Sequence, residues 1–212
     1  MSPIYKFFRF FKVYTIGRKS MGSLIDLPNV KSVDACLAGL IDRNADSRGT
    51  MALDLGCGLT PRNPFHAERA YGIDVRENAS SSIKCADLSL EPIPFEDNAF
   101  DYITAFDILE HIPRVIYAPN RRFPFVELMN EVWRTLKPNG YFLSHTPVYP
   151  YSEIYRDPTH VNVITHETFT AYFDDAHRGA EMYGFNGSFK VISQHIKIPH
   201  LVSVLQKMPR SL

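Results

Sequence analysis

At 212 residues the chain fits one domain, within the roughly 100–200 residues usual for one. Hydrophobic residues make up 45 % and charged residues 22 %, an ordinary globular composition. Its 23 basic and 23 acidic residues cancel, which removes any global charge argument for nucleic-acid binding.

Cys36, Cys57 and Cys85 are widely spaced and odd in number. They form neither a disulfide framework nor a zinc pattern, which suits a reducing, cytoplasmic setting. No apolar run reaches the ~18 residues of a membrane-crossing helix, and the N-terminus has no signal-peptide core or cleavage site. One local bias stands out. Residues 1–25 carry Lys6, Arg9, Lys12, Arg18 and Lys19 with no acid, interleaved with Tyr5, Phe7, Phe8, Phe10, Phe11 and Tyr14. Such a segment can lie on an anionic membrane surface, so a peripheral membrane contact through residues 1–20 is one expectation. The other is a helix that packs its Phe residues on the domain. The expected division is a basic aromatic segment, 1–30, followed by one domain, 31–212.

In chain order, Val33, Leu37, Leu40 and Ile41 recur at helical spacing and predict an amphipathic helix over 31–45. Thr50–Leu55 reads as a buried strand that enters a tight turn at Gly56-Cys57-Gly58. Ala70–Val75, Ser82–Ala86 and Ala99–Phe106 read as further strands. The connection from Gly58 to Ala70 has room for a short helix only, and that from Val75 to Ser82 for none. Phe125, Leu128, Met129, Val132, Trp133 and Leu136 predict a helix over 123–137, stopped by Pro138-Asn139-Gly140. Tyr141–Thr146 is a fifth strand, and Phe189–Ile198 with Leu201–Gln206 a terminal antiparallel pair. Strands alternating with helices argue a mostly parallel sheet covered on both faces.

The glycine turn is where chemistry enters. Two glycines after a buried strand let the backbone approach a ligand that a Cβ would block. Asp74 ends the next strand, where a carboxylate can accept hydrogen bonds from both ribose hydroxyls. The positions after Gly58 are Leu59, Thr60, Pro61 and Arg62, so the third glycine of a pyrophosphate site is missing. Asp54 would repel a pyrophosphate and attract a cationic ligand such as a sulfonium carrying an amino-acid tail.

With these residues the sequence resembles the class I S-adenosylmethionine-dependent methyltransferases, over roughly Met51 to Thr146. Leu53-Asp54-Leu55-Gly56-Cys57-Gly58 looks like the first motif of that family, and Tyr71-Gly72-Ile73-Asp74 like its second. Cys85-Ala86-Asp87-Leu88 looks like the third-strand motif. Phe100–Ile103 with Phe106-Asp107-Ile108-Leu109-Glu110-His111-Ile112 looks like the fourth-strand segment beside the methyl donor. Glu131–Tyr141 resembles the helix, turn and strand that follow. The resemblance implies a Rossmann-like fold with a seven-stranded sheet and a terminal antiparallel hairpin, and S-adenosyl-L-methionine as cofactor, with S-adenosyl-L-homocysteine as product. The implied cofactor residues are Asp54, Gly56, Cys57, Gly58, Asp74, Val75, Ala86, Asp87, Leu88, Phe106 and Asp107. Thr60 departs from the glycine usual in the family.

The expected reaction is methyl transfer to a small-molecule or glycan-intermediate acceptor, at oxygen. A base is needed where the nucleophile must lose a proton. His160, on the long loop after the fifth strand, is the first candidate, because an imidazole titrates near neutral pH. Asp157 is its expected orienting partner or a substrate contact, and His111 is the second candidate. His111, His145, His160 and His166 match no tight zinc spacing, so no metal is expected. The competing readings are a non-catalytic S-adenosylmethionine-binding protein and an NAD-dependent oxidoreductase, the latter opposed by the missing glycine. The segment Phe106-Asp107-Ile108-Leu109 lacks the Asn/Asp-Pro-Pro-Tyr type of motif for amino-methylation of flipped bases.

Overall fold

The computed structural model describes residues 25–40 and 46–209. Seven strands build one sheet: β1 (Met51–Leu55), β2 (Arg69–Asp74), β3 (Ile83–Cys85), β4 (Phe100–Phe106), β5 (Leu136–Pro147), β6 (Phe189–Lys197) and β7 (His200–Lys207). Their spatial order is β3-β2-β1-β4-β5-β7-β6. The first five pair in parallel, and β7 runs antiparallel to both β5 and β6. This is a Rossmann-like methyltransferase fold.

The chain leaves β1 in one direction along the sheet and returns to its other side as β4. A crevice opens at such a reversal, beyond the carboxyl ends of the strands, and ligands bind there. The apolar run Ala52, Leu53, Leu55 in β1 is buried on both faces, as a central parallel strand requires.

One face of the sheet is well covered. Helix α2 (Pro124–Thr135) starts with proline at its first position, where the missing N–H costs nothing. It buries Phe125, Leu128, Met129 and Val132 in the main core together with Phe169 of α4 (Thr168–Tyr172). The other face carries a thinner layer. There the short helix α1 (Val33–Leu37) contributes Cys36 and Leu37, and the Phe65 ring stacks on Tyr102 with centroids 4.4 Å apart. A further short helix, α3 (Glu153–Arg156), lies in the long loop after β5.

The sequence expectations shift at several borders. The helix expected over 31–45 is short: Ala38 is already extended and Gly39 turns at φ +85°. Residues 41–45 lie outside the described residues. No helix forms between β1 and β2, where Pro61 and Pro64 limit backbone donors and Asn63 instead bonds both the N–H and the C=O of Ala67. Pro138-Asn139-Gly140 does not precede the fifth strand but lies within it. Asn139 takes φ +64° there, and the pairing with β4 shifts register between Phe100 and Tyr102.

Residues 25–30 are built into the domain. Val30 N–H donates to the Ile196 carbonyl, Ile196 N–H donates to that of Pro28, and Ile25 joins the main core. The proposed boundary at residue 30 therefore falls inside packed structure. Residues 1–24, which carry the basic aromatic pattern, lie outside the described residues. Among the described residues, no helix is long and apolar enough to cross a membrane.

Candidate functional site

Both glycines of the turn adopt φ +65°, a left-handed conformation that side chains disfavour. A Cβ on Gly56 would lie 3.0 Å from three atoms of Ile108, so the turn also needs the space. Gly58 N–H donates to Asp74 Oδ2 at 2.8 Å, which ties the turn to the end of β2.

Asp74 is buried, and its Oδ1 accepts from Arg76 Nε at 2.8 Å and from Arg76 N at 3.0 Å. The Arg76 guanidinium holds its carboxyl down at about 2, so it is ionised at neutral pH. Arg76 itself is 71 % exposed. An ion pair so open to water is worth ~0–1 kcal/mol, and a ribose diol can displace it. Val75, 65 % exposed beside Asp74, leaves an apolar surface of the kind a purine ring can cover.

Asp54 has a different place from the one expected. It is fully buried, with Oδ2 accepting from Arg62 N–H at 2.8 Å and Oδ1 from Thr104 Oγ1 at 2.7 Å. Burial pushes its carboxyl up, against these two bonds. Its oxygens hold the 59–63 loop, so a direct contact with a cationic ligand is not what its position offers. The Cys57 side chain turns away from the crevice and packs on Gly72, where an added Cβ would come within 2.3 Å of the sulfur. Burial raises the thiol to about 11, so it is inert at neutral pH.

On the third-strand side, Ala86 N–H donates to the Asp74 carbonyl, and Asp87 Oδ1 caps Ser89 N–H at 2.9 Å. Leu88 is buried in the core. The Phe106 ring at the end of β4 is covered by the Arg62 guanidinium, 4.7 Å from its centroid.

Asp107, in a left-handed turn at φ +53°, faces two histidines. His145 Nδ1 lies 3.3 Å away and His200 Nε2 3.2 Å away, and the two rings stack with centroids 4.2 Å apart. Burial alone would raise Asp107, but the close approach of His145 and His200 holds it well below the carboxylate range. Burial lowers His145.

A polar pocket of about 520 Å³ opens at the carboxyl ends of β4 and β5, with Asp107, Glu110, His111, Asp157, His160 and His200 in its wall. A second, apolar pocket of about 260 Å³ lies among Phe123, Phe125, Tyr172 and Phe173 and shares no wall residue with it. The polar pocket brings together two candidates 49 positions apart, because Val161 N–H and Asn162 N–H both donate to the Glu110 carbonyl, at 2.9 and 3.0 Å. His111 and His160 then meet edge to face, with centroids 4.8 Å apart.

Their hydrogen bonds assign the tautomers. His160 Nδ1 is 3.0 Å from the Ile154 carbonyl, which can only accept. Thr159 Oγ1 donates its one proton to Asp157 Oδ1 at 2.6 Å, so it accepts from His111 Nδ1 at 3.0 Å. Each neutral ring therefore carries a bare Nε2. Asp157 reaches His111 through Thr159; its expected role as the partner of His160 is thereby corrected.

Glu110 was not singled out from the sequence. It is 1 % exposed, its Oε2 accepts from Thr146 Oγ1 at 2.8 Å, and its buried Oε1 has no hydrogen-bond partner among the described residues. Burial raises its carboxyl. The signal lay in its position in an apolar run, between Leu109 and Ile112.

Residues 53–144 match the methyltransferase-domain family. Demethylmenaquinone methyltransferases of Listeria welshimeri and Listeria monocytogenes are 29 % identical over 111 residues, 44 % of this chain and 43 % of theirs. The chain thus spans less than half the length of these curated relatives. In fold it is similar to a proposed methyltransferase from Bacillus halodurans (TM-score 0.55, 14 % identity, covering 84 % of this chain and 99 % of that one). It is also similar to a SAM-dependent methyltransferase from Archaeoglobus fulgidus (TM-score 0.51, 16 % identity, covering 82 % and 93 %). The [4+2]-cyclase SpnF shares the fold as well (TM-score 0.51, 13 % identity, covering 87 % and 98 %).

Motif, sheet order and family match agree on a methyltransferase domain over residues 53–144, set in a Rossmann-like methyltransferase fold that takes S-adenosylmethionine as cofactor. That cofactor fits the residues present, because the Gly56 turn is a cradle that a Cβ would fill and Asp74 is an ionised acceptor behind a displaceable arginine.

Proposed function

We propose that the chain transfers the methyl group of S-adenosylmethionine to a hydroxyl oxygen of a small molecule or saccharide held in the polar pocket. The observation that carries this reading is the convergence of Glu110, His111 and His160 in that pocket, on the strand next to the glycine turn. When bound, the cofactor supplies a methyl group already activated on a sulfonium.

The residues do the rest. The turn at Gly56 and Gly58 lets the backbone approach the amino-acid end, with Asp54 fixing the adjoining loop through Arg62 and Thr104. Asp74 accepts the ribose hydroxyls in place of Arg76. Val75 and Asp87 border the adenine, with Ala86 and Leu88 as the packed support beneath. Phe106 and Asp107 border the methyl donor. Holding nucleophile and methyl in line can supply ~7–11 kcal/mol. A hydroxyl must also lose a proton. His160 and His111 line the pocket, and transfer of that proton to a bare Nε2 typically adds about 10²–10⁴-fold.

The basic aromatic composition of residues 1–20 supports a peripheral membrane contact, and with it acceptors carried at a membrane surface. The shared fold of SpnF is a reminder that architecture alone does not set the reaction. The test is methyl transfer from isotope-labelled S-adenosylmethionine to paired acceptors that carry either a hydroxyl or an amine on one scaffold. Label in the hydroxyl member supports the reading; label only in amines contradicts transfer to oxygen.

A further inference from the structure

We propose that Glu110, His111 and His160 form a divalent transition-metal site in the polar pocket, which binds the acceptor through its hydroxyl oxygen. The inference rests on the reading of that pocket as the acceptor site.

One ligand atom from each residue lies within 4.8 Å of the others, so an approach of a few tenths of an ångström or more by the side chains brings all three to a common ion at the ~2.0–2.2 Å usual for imidazole and carboxylate ligands. The tautomers matter more than the proximity. Both imidazoles spend their Nδ1–H on outer partners, His160 on the Ile154 carbonyl and His111 on Thr159, which is itself held by Asp157. Metal-bound histidines carry this arrangement, in which an outer acceptor fixes the ring and leaves the other nitrogen bare. Glu110 adds a buried oxygen, Oε1, with no hydrogen-bond donor. All three residues line the one pocket, and none of the described residues donates a hydrogen bond to that Glu110 oxygen. A cation satisfies all three.

The neighbouring group of Asp107, His145 and His200 also has its ligand atoms within 4.8 Å of one another, but its chemistry differs. His145 Nδ1 and His200 Nε2 already face Asp107, and the Lys197 ammonium lies 3.4 Å from His145 Nε2. There both imidazoles lie against the Asp107 carboxylate, and the ammonium repels a second cation.

Two imidazoles and one carboxylate suit zinc, manganese, iron or cobalt better than magnesium or calcium, which prefer oxygen. Three protein ligands leave positions for water or for an acceptor hydroxyl. A hydroxyl bound there becomes more acidic. Its proton passes to bulk water; the O–C bond then forms as the S–C bond breaks, and the S–C electron pair neutralises the sulfonium. With the cation bound, the imidazoles act as its ligands and the cation replaces them in acidifying the hydroxyl; their Nε2 atoms take the proton only in the metal-free protein.

The test is titration of the chelator-treated full-length protein with cobalt(II), read by its visible absorption bands, alongside calorimetry with S-adenosylhomocysteine. The expected result is one cobalt per chain with bands of nitrogen and oxygen ligation. His160→Ala and Glu110→Gln should each weaken cobalt binding at least tenfold while S-adenosylhomocysteine still binds, which shows that the variants fold; His200→Ala should leave the bands unchanged. His160 is half-buried on a loop and covers the case in which Glu110→Gln does not fold. Cofactor binding without stoichiometric cobalt, or cobalt bands indifferent to His160→Ala, would overturn the site. Cobalt binding without cofactor binding would uphold the site and contradict the methyltransferase reading instead.

Discussion

The imidazoles of His111 and His160 meet edge to face, 4.8 Å between centroids, because the Glu110 carbonyl accepts the N–H groups of both Val161 and Asn162. A main-chain clamp, not a side-chain contact, brings the loop after β5 back to the end of β4. Arg114 reinforces it by donating to Asn162 Oδ1 at 2.6 Å, and Asn162 Nδ2 donates to the Leu109 carbonyl at 3.0 Å. The pocket is thus assembled by backbone polarity satisfied across two loops.

His160→Ala should lower turnover by about 10²–10⁴-fold with cofactor affinity preserved. Asp157→Ala acts one bond further out, through Thr159 on the tautomer of His111. The smaller loss expected there is ~10–100-fold, typical of outer partners that orient a ring. Steady-state kinetics and calorimetry on the same preparations check both. Equal losses, or a loss of cofactor binding in either, would contradict the assignment.

Asp74→Ala should weaken S-adenosylhomocysteine binding by roughly 10–150-fold, the equivalent of ~1.5–3 kcal/mol for hydrogen bonds to a charged acceptor. Arg76→Ala should not weaken it, since Arg76 occupies the carboxylate only until a ribose replaces it. Calorimetric titration separates the two. Weakened binding in Arg76→Ala would mean that the arginine contributes a contact of its own.

Gly56→Ala should destabilise the domain more than Gly39→Ala. Both glycines have positive φ, which costs a side chain ~1–2 kcal/mol, but a Cβ at Gly56 also meets Ile108 at 3.0 Å while one at Gly39 meets nothing within 4 Å. At ~2–4 °C per kcal/mol for a chain of this size, thermal melts resolve the difference. Equal melting shifts would show that Ile108 moves aside freely.

The ordinary local signals were legible in the sequence. Leu53–Gly58 and Asp74 carry their geometry in neighbouring residues, so the turn, the strand end and the sheet class followed from pattern alone. The border of β5 did not, because Asn139 enters the left-handed region and is absorbed as an irregularity in a strand instead of ending it. Glu110 was hidden for a different reason. Its burial depends on Thr146, and its neighbour His160 on two hydrogen bonds that span some fifty residues, neither of which leaves a periodic trace. Asp54 was visible as an acid, but whether its carboxylate faces a ligand or its own loop is decided by the fold.

Acid should destabilise the domain through His145 and Asp107. Burial lowers His145 below its unfolded value of ~6.5, so its contribution is present above that pH and is lost as pH falls through it. Asp107, held low by the two histidines despite burial, adds a second loss as pH falls below its unfolded value of ~3.9. His145→Gln should lower the melting temperature at pH 7.5 and flatten its decline as pH falls below about 6.5. An unchanged slope over that window would show that His145 does not titrate with folding.

Calorimetric titration of the full-length protein with S-adenosylhomocysteine, with NAD as the comparison, tests most directly whether the Gly56 turn and Asp74 form a nucleoside site for a methyl donor. Saturable one-site binding of S-adenosylhomocysteine, weakened in Asp74→Ala and absent with NAD, is the expected result. Binding of NAD with none of S-adenosylhomocysteine would contradict it.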